Sequence, residues 1–232
     1  MGIQEIILKT SEEMGNMLES VSSYCIQFVK NKEQEKLFER IIKAMSVIDR
    51  KFFVENEEFA YVDTALAIGH GQTISQPSTV ARMLMLAELK EGDSVLEVGS
   101  GSGWNSSLIS FLVYPGKVIS IDIIPKLTKL AMNNILKLKT NLKQEYSRKI
   151  ENIKIINGNF FSHNKKYNKI IITAGISDEQ EDKIRKIAER LLKNNGILIC
   201  PRISGDMIIF KKNKKLEREE TKEEYVFVPL VE

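Results

Sequence analysis

The chain is 232 residues long, with 43% apolar and 28% charged residues, and a chain of this size and composition can bury one sizeable hydrophobic core. Its 34 basic and 31 acidic residues leave a net charge of +3, which is too weak to favour a nucleic-acid partner. Two cysteines, Cys25 and Cys200, argue against a disulfide scaffold, and no apolar run reaches the length of a membrane span. Composition therefore predicts a soluble protein of the reducing cytoplasm, with no membrane and no nucleic-acid partner.

The N-terminal part of the chain has helical spacing. A helix over 33–45 is predicted because apolar residues recur every three or four positions, at Leu37, Phe38, Ile41, Ile42 and Met45. The stretch 14–30 favours a second amphipathic helix but carries no recognisable motif. We therefore divide the chain into an N-terminal extension, residues 1–32, expected to be helical, and a main domain, residues 33–232.

From Pro77 onward, helical and strand patterns alternate. A helical pattern over 78–89 precedes the short buried run Ser94–Val98. Further strands are predicted at 117–121, 153–156, 169–173 and 197–200, and further helices near 104–113, 126–143 and 178–193. This alternation favours a doubly wound α/β fold, in which a mostly parallel sheet is covered by helices on both faces.

The C-terminal part breaks the alternation. Asn195-Gly196 is interpreted as the stop signal of the last helix. Two apolar runs, 207–211 and 225–230, then follow with no convincing helix between them. They are predicted to pair antiparallel at the edge of the sheet, and the lysine-rich turns 163–169 and 211–215 are interpreted as solvated surface.

The strongest local signal is the run Glu97-Val98-Gly99-Ser100-Gly101-Ser102-Gly103, where a buried strand turns into a helix. Glycines allow the backbone to pass close to a ligand. A dinucleotide site would have the last glycine one residue later and no acid inside the strand, so the pattern instead resembles the first motif of the Rossmann-like S-adenosylmethionine-dependent methyltransferases. The resemblance implies a cofactor held by Gly99, Ser100, Gly101 and Gly103, with Glu97 complementing its positive charge. A tight turn without a ligand is the alternative.

Two later segments extend this resemblance. Asp122 ends the next predicted strand, 23 residues after Gly99, where the methyltransferase pattern has the acid that binds the ribose, with Ile123 beside it. A helix cap is the alternative role for Asp122. The family has an acid for the adenine where this chain has Asn159, followed by Phe160, and an amide can still form one hydrogen bond to the base. Trp104 and Phe160 can border the adenine, although an aromatic residue beside a glycine turn more often serves plain packing.

The segment 61–77 selects one family. Its core, Gln72-Thr73-Ile74-Ser75 followed by Pro77, resembles the signature of the protein-L-isoaspartate O-methyltransferases, and the likeness continues through Val80-Ala81-Arg82-Met83 and Phe227-Val228-Pro229-Leu230. The resemblance implies methyl transfer from S-adenosylmethionine to the free carboxylate of L-isoaspartyl residues in damaged proteins and peptides. It marks Ser75 as the active-site hydroxyl and places Thr73 and Ile74 at the cofactor. No metal is expected, since the two histidines and two cysteines have no zinc-site spacing. A capping serine is the alternative for Ser75.

Three rival functions remain at this point. A nucleic-acid methyltransferase is disfavoured because the fourth strand leads into Thr173-Ala174-Gly175-Ile176-Ser177, without the Pro-Pro-aromatic platform for a flipped base. A carboxyl methyltransferase with a narrower substrate stays open, because the loops at Ala174-Ser177 and at Arg202 depart from the family pattern. A cofactor-binding relative without turnover is disfavoured by the presence of Ser75, Glu97 and Asp122.

Overall fold

The structure, a computed structural model, describes residues 2–232. Its α-helices are α1 (Ile3–Ile7), α2 (Glu12–Cys25), α3 (Lys32–Val47), α4 (Pro77–Leu86), α5 (Trp104–Val113), α6 (Pro125–Asn141), α7 (Gln144–Ser147) and α8 (Asp178–Leu191). Its strands are β1 (Leu66–Ala67), β2 (Thr73–Ile74), β3 (Ser94–Val98), β4 (Lys117–Asp122), β5 (Ile153–Asn157), β6 (Tyr167–Ile172), β7 (Leu192–Pro201), β8 (Ser204–Gly205), β9 (Met207–Lys212), β10 (Leu216–Glu220) and β11 (Tyr225–Val226). Within the described range, no helix is both long and apolar enough to cross a bilayer.

The central sheet has seven strands in the order β10-β9-β7-β6-β3-β4-β5. The strands from β7 to β5 run parallel, while β9 and β10 are antiparallel. The chain builds outward from β3 to β4 and β5, then crosses to β6 on the other side of β3. Ligands of such sheets bind where the strand order reverses, beyond the carboxyl ends of the strands. The predicted fold class is confirmed, including the antiparallel edge.

Each face of the sheet has its own hydrophobic core. Successive residues of a strand point to opposite faces of the sheet. In β6, Ile171 therefore joins the core beneath the N-terminal helices, whereas Ile170 and Ile172 join the core beneath α8. The central strands are therefore apolar on both sides, as buried parallel strands are. This double burial explains why the run Ser94–Val98 is detectable from sequence with the bounds that the structure gives it.

The N-terminal extension packs on the first of these cores. Ser11 caps α2 by accepting a hydrogen bond from the Met14 N–H, and Met17, Leu18 and Val21 are buried. The Tyr24 hydroxyl lies 2.9 Å from that of Tyr225, so α2 also contacts the last strand. The division at residue 32 stays a prediction.

Two details of the C-terminal prediction are wrong. The strand β9 pairs with β7 and β10, not with the run 225–230, of which only Tyr225–Val226 is a strand, paired with β8. The strand β10 escaped detection because Leu216-Glu217-Arg218-Glu219-Glu220 has the composition of a solvated turn, yet charged side chains are common on an exposed edge strand. Asn195-Gly196 lies inside β7 rather than ending a helix, since α8 ends at Leu191.

Because Leu18 is fully buried in α2, Leu18→Ala should lower the free energy of unfolding by about 3 kcal/mol. Urea denaturation followed by circular dichroism measures this, with Glu19→Ala on the exposed face of α2 as the control. A loss below about 1 kcal/mol, or an early separate transition, would show that the extension unfolds apart from the main domain.

Candidate cofactor and substrate site

The turn from β3 into α5 depends on glycine at two positions. Gly99 has φ +97°, and a Cβ there would collide with the Thr173 hydroxyl, which itself donates to the Gly99 carbonyl at 2.9 Å. Gly103 has φ +93°, and a Cβ there would approach the backbone of Ala131 in α6 to 3.1 Å. Both residues therefore need the left-handed region and lack room for a side chain. The turn is wedged between the end of β6 and the face of α6.

Asp122, at the end of β4, ties this turn to the neighbouring strand. Its Oδ2 accepts hydrogen bonds from the Gly101 N–H at 3.0 Å and the Ser100 hydroxyl at 3.3 Å. Its Oδ1 accepts from the Ile124 N–H at 2.9 Å. Asp122 thus shapes the entry to α6, although Ile124 is the capping residue, and it also lines the cavities described next.

Two adjoining cavities open over the carboxyl ends of β3 and β4. The first is bordered by the loop Gln72–Ser75, the glycine turn, Trp104 and Asn105, and the second by Gly158, Asn159 and the C-terminal residues 229–231. They share Gln72, Gly99, Asp122 and Ala174. This is the end of the sheet where the strand order reverses, so the fold and the cavities point to one extended binding cleft.

The structure brings most of the predicted site residues to this cleft. The first cavity is lined by Thr73, Ile74, Ser75, Gly99, Ser100, Gly101 and Asp122. The second is lined by Gly99, Asp122, Ile123, Asn159 and Phe160. Glu97 and Gly103 line neither cavity. The roles assigned to all of these residues stay predictions.

Glu97 lies beneath the turn instead of inside the cleft. It is fully buried, and its carboxylate accepts hydrogen bonds from the Ser106 hydroxyl, from the Ser120 hydroxyl at 2.5 Å and from the Asn105 amide at 2.8 Å. Burial raises the pKa of Glu97 to about 7, and these three hydrogen bonds oppose the rise. The acid therefore orients its neighbours on α5 and β4.

Asn105 is the neighbour that reaches the cleft. While its amide nitrogen donates to Glu97, its Oδ1 is buried and has no hydrogen-bond partner among residues 2–232. Asn105 lines the first cavity, and a buried amide oxygen without a partner suits a charged donor such as an ammonium group. The amino-acid end of S-adenosylmethionine carries such a group, so the residues that line this cavity fit the cofactor. Sequence reasoning missed Asn105 because it follows the glycine motif without belonging to it.

Ser75 has a hydroxyl with no hydrogen-bond partner among the described residues, and it lines the first cavity. It does not cap α4, whose capping residue is Gln76. The side chain that caps the start of α4 is Asp63, which accepts hydrogen bonds from the Ser78 N–H at 2.9 Å and from the Ser78 hydroxyl at 2.5 Å. The capping interpretation of Ser75 is therefore not supported by its contacts.

Arg50 holds the loop that carries Ser75. Its fully buried guanidinium donates to the carbonyls of Ala60 at 2.9 Å, Thr64 at 2.9 Å and Ser75 at 3.2 Å. Burial lowers the pKa of Arg50 to about 10, and Asp63 opposes that change. Sequence reasoning missed Arg50, which lies upstream of the segment 61–77 and belongs to no motif.

The aromatic residues divide between the two cavities. Trp104 lines the first, is 1% exposed and donates its indole N–H to the Ile48 carbonyl at 3.0 Å. Phe160 lines the second and packs against Phe161 at 4.2 Å between ring centroids. The Asn159 Oδ1 accepts from the Phe161 N–H at 2.9 Å, which leaves its amide NH₂ as the group available to a base edge.

The doubly wound sheet, the glycine turn after β3 and the acid at the end of β4 define the class of Rossmann-like S-adenosylmethionine-dependent methyltransferases. Within that class, the family model described as protein-L-isoaspartate(D-aspartate) O-methyltransferase matches residues 25–232, and the chain belongs to this family.

Curated relatives and solved structures agree with this assignment. A protein-L-isoaspartate O-methyltransferase of Methanothrix thermoacetophila is 35% identical over 83% of this chain and 88% of its own length. One from Fervidobacterium nodosum is 40% identical over 70% of this chain and 77% of its own. A solved protein-L-isoaspartate O-methyltransferase is similar at 25% identity with a TM-score of 0.68, covering 86% of this chain and 66% of that one. A Plasmodium falciparum structure, described as a complex with S-adenosyl-L-homocysteine, shares the fold at 23% identity with a TM-score of 0.71, covering 91% and 97%.

If the Asn105 oxygen accepts from the cofactor's ammonium, Asn105→Leu should weaken binding of S-adenosylhomocysteine about tenfold or more, since a hydrogen bond to a charged group is removed. Isothermal titration calorimetry measures the affinity. The exposed Asn133→Leu on α6 is the matched control. Unchanged affinity in Asn105→Leu would remove Asn105 from the binding site.

The raised pKa of Glu97 has a consequence for stability. In the unfolded chain the carboxyl ionises near 4.5, but in the folded protein it ionises near 7, so its contribution is full below 4.5 and is lost as the pH rises toward 7. Wild-type protein should therefore lose stability relative to Glu97→Gln between pH 5 and pH 8, by on the order of 3 kcal/mol. Urea unfolding at both pH values measures this, with the exposed Glu151→Gln as the control. Parallel pH profiles for wild type and Glu97→Gln would contradict the burial argument.

Proposed function

We propose that this chain is a protein-L-isoaspartate O-methyltransferase that transfers a methyl group from S-adenosylmethionine to the free carboxylate of L-isoaspartyl residues in damaged proteins and peptides. The family match over residues 25–232 supports the reaction. The observation that carries the proposal is the meeting, in one cavity, of the unpartnered Ser75 hydroxyl with the glycine turn and Asp122. The signature loop and the cofactor motif are far apart in sequence but adjacent in space.

The chain's own residues divide the work of holding the cofactor. Asp122 would accept hydrogen bonds from the ribose, since its carboxylate lies where the two cavities join. Asn105 would receive the ammonium, and Glu97 would keep the Asn105 amide in the required orientation. Ile123, Asn159 and Phe160 would border the base. When bound, S-adenosylmethionine supplies an electrophilic methyl group.

The substrate needs orientation more than activation. A free α-carboxylate has a pKa of roughly 3.5, so it is already an anionic nucleophile at neutral pH and needs no general base. Ser75 would donate a hydrogen bond that fixes one carboxylate oxygen, leaving the other to face the methyl group. Arg50 would hold the Ser75 backbone in place through the carbonyl it binds. His70 sits at the exposed tip of the β1–β2 hairpin and lines neither cavity.

A narrower substrate range is the second candidate, and one feature favours it. Arg202, which departs from the family pattern, is bound by Asp178, by Glu181 at 3.0 Å and by Asp206 at 2.9 Å. These ion pairs fasten the loop after β7 to the start of α8, at the carboxyl end of the sheet. A loop held this way would admit fewer peptide sequences than a free one.

The two cysteines indicate the cellular setting that we propose. Both cysteines are buried and free, as in proteins of a reducing compartment, so we place the reaction in the cytoplasm. The substrates would be isoaspartyl-containing proteins and peptides, with neither nucleic acid nor membrane as partner.

Transfer of radiolabelled methyl from S-adenosylmethionine to an L-isoaspartyl peptide tests the proposal, with the normal aspartyl peptide alongside. Ser75→Ala should lower kcat/KM about a hundredfold by removing the orienting donor, while the exposed Ser20→Ala on α2 keeps full activity. A panel of isoaspartyl peptides with different neighbours separates the broad substrate range from the narrow one.

Base-labile label on isoaspartyl peptides alone is the expected result. Label on the aspartyl peptide as well, or none on any peptide despite measurable cofactor binding, would overturn the repair function. Full activity in Ser75→Ala would overturn the assignment of the hydroxyl.

A further inference from the structure

The end of α2 contacts two segments that form walls of the cofactor cleft. Tyr24 and Cys25 are the last two residues of this helix, and all of α2 except Cys25 lies ahead of the family match over residues 25–232. Neither the match nor the proposed reaction gives α2 a role. The helix nevertheless reaches both walls through the side chains of these two residues.

The first contact is with the C-terminal segment. The hydroxyl oxygens of Tyr24 and Tyr225 are 2.9 Å apart, and Tyr225 is the first residue of β11. From β11 the chain continues directly into the cleft, because Val228 lines the first cavity and residues 229–231 line the second. The Tyr24 hydroxyl thus fastens this C-terminal wall just before it reaches the cleft.

After β11, single backbone hydrogen bonds hold the C-terminal wall. The Phe227 N–H donates to the Ile203 carbonyl at 2.9 Å. The Gly175 N–H donates to the Val228 carbonyl at 2.7 Å, and the Leu230 N–H donates to the Gly175 carbonyl at 2.7 Å. In the described chain these bonds surround an isolated bridge rather than a continuous ladder. A segment held in this way depends on its anchors for a fixed position, so the loss of one anchor should let the wall move.

The second contact joins α2 to α4, which forms another wall of the cleft. Cys25 is fully buried, and its thiol donates to the Ser78 carbonyl at 3.8 Å. Ser78 lies in the first turn of α4, and Val80 and Met83 of the same helix line the first cavity. Because Tyr24 and Cys25 are consecutive, one short piece of α2 contacts both walls.

An ion pair and two ring contacts close this arrangement. The Tyr24 ring lies edge-on to that of Phe28 at 5.5 Å between centroids, and the Arg82 guanidinium lies 3.9 Å from the centroid of Phe28. Arg82, on α4, binds the Glu223 carboxylate at 3.0 Å, and Glu223 precedes β11. Their side chains are 13% and 20% exposed, so this pair is screened less than a surface pair. The resulting cluster, here called the clamp, consists of Tyr24, Phe28, Arg82, Glu223 and Tyr225.

We propose that the clamp positions the cleft for its ligands, with Tyr24 as a positioning residue that acts through Tyr225 on the wall formed by residues 228–231. The inference rests on the proposed function for the peptide substrate but not for the cofactor, since the same wall lines both cavities. A wall already held in place needs no ordering when a ligand binds. The clamp should therefore strengthen binding equally in the ground state and the transition state, which lowers KM and leaves kcat unchanged.

Tyr24→Phe removes only the hydroxyl, and the exposed Tyr114→Phe after α5 is the matched control. Calorimetric titration with S-adenosylhomocysteine should show an affinity about fivefold lower in Tyr24→Phe, the loss expected from one neutral hydrogen bond, and wild-type affinity in Tyr114→Phe. With an L-isoaspartyl peptide, KM should rise in Tyr24→Phe while kcat stays unchanged. Hydrogen exchange followed by mass spectrometry should become faster in residues 227–230 but not in Ser94–Val98, which locates the change in the wall.

The double variant Tyr24→Phe/Tyr225→Phe separates the clamp from general destabilisation, and the unfolding midpoint checks that each variant is folded. If the two hydroxyls act through their mutual hydrogen bond, the double variant should bind S-adenosylhomocysteine about as well as either single variant. Effects that multiply would show that the tyrosines act separately and would overturn the proposal, as would wild-type affinity and exchange in folded Tyr24→Phe. The titration needs no turnover, so a wild-type protein that binds the cofactor but methylates no peptide would overturn the repair function alone.

Discussion

The passage of the chain from β3 into α5 is the constraint on which the rest of the site depends. At this turn the backbone passes between Thr173 at the end of β6 and Ala131 in α6, with no space for a Cβ at Gly99 or Gly103. The close fit makes the turn rigid, and Asp122 fastens it to β4 through the Gly101 N–H. A cleft over the strand ends can then keep its shape without a ligand, which lowers the ordering cost of binding one.

The loop that carries Ser75 is held in a different way. Most of it is irregular, so the carbonyls of Ala60, Thr64 and Ser75 lack the partners that a helix or a sheet would supply. Arg50 supplies these partners, because its buried guanidinium presents several N–H donors in a fixed fork to carbonyls of residues 60–75. Those hydrogen bonds and the face of Trp104, 5.3 Å away, offset part of the desolvation cost of the cation. Arg50 thus connects the loop that carries Ser75 to Trp104, which lines the first cavity of the cleft.

Most of the fold was predictable because its elements are buried in a regular way. The strand Ser94–Val98 and the helix Trp104–Val113 have the predicted bounds, since apolar residues and glycine mark both ends. The strand Leu216–Glu220 was not predictable, because its charges follow from the exposed edge that it occupies and not from a local pattern. The position of Asp122 in the cleft followed from a motif, whereas Arg50 and Asn105 act through tertiary contacts that no sequence spacing records.

The site also shows why an acid in a motif need not contact the ligand. The Glu97 carboxylate is enclosed by Ser106, Ser120 and Asn105, so it has no open side from which a ligand could approach. It still influences the cleft, because the Asn105 amide is held by it and Asn105 lines the first cavity. A cation bound at the Asn105 oxygen would meet an acceptor whose dipole Glu97 has already oriented. In this arrangement the acidic residue of the glycine motif supports Asn105, which lines the cleft, and does not line the cleft itself.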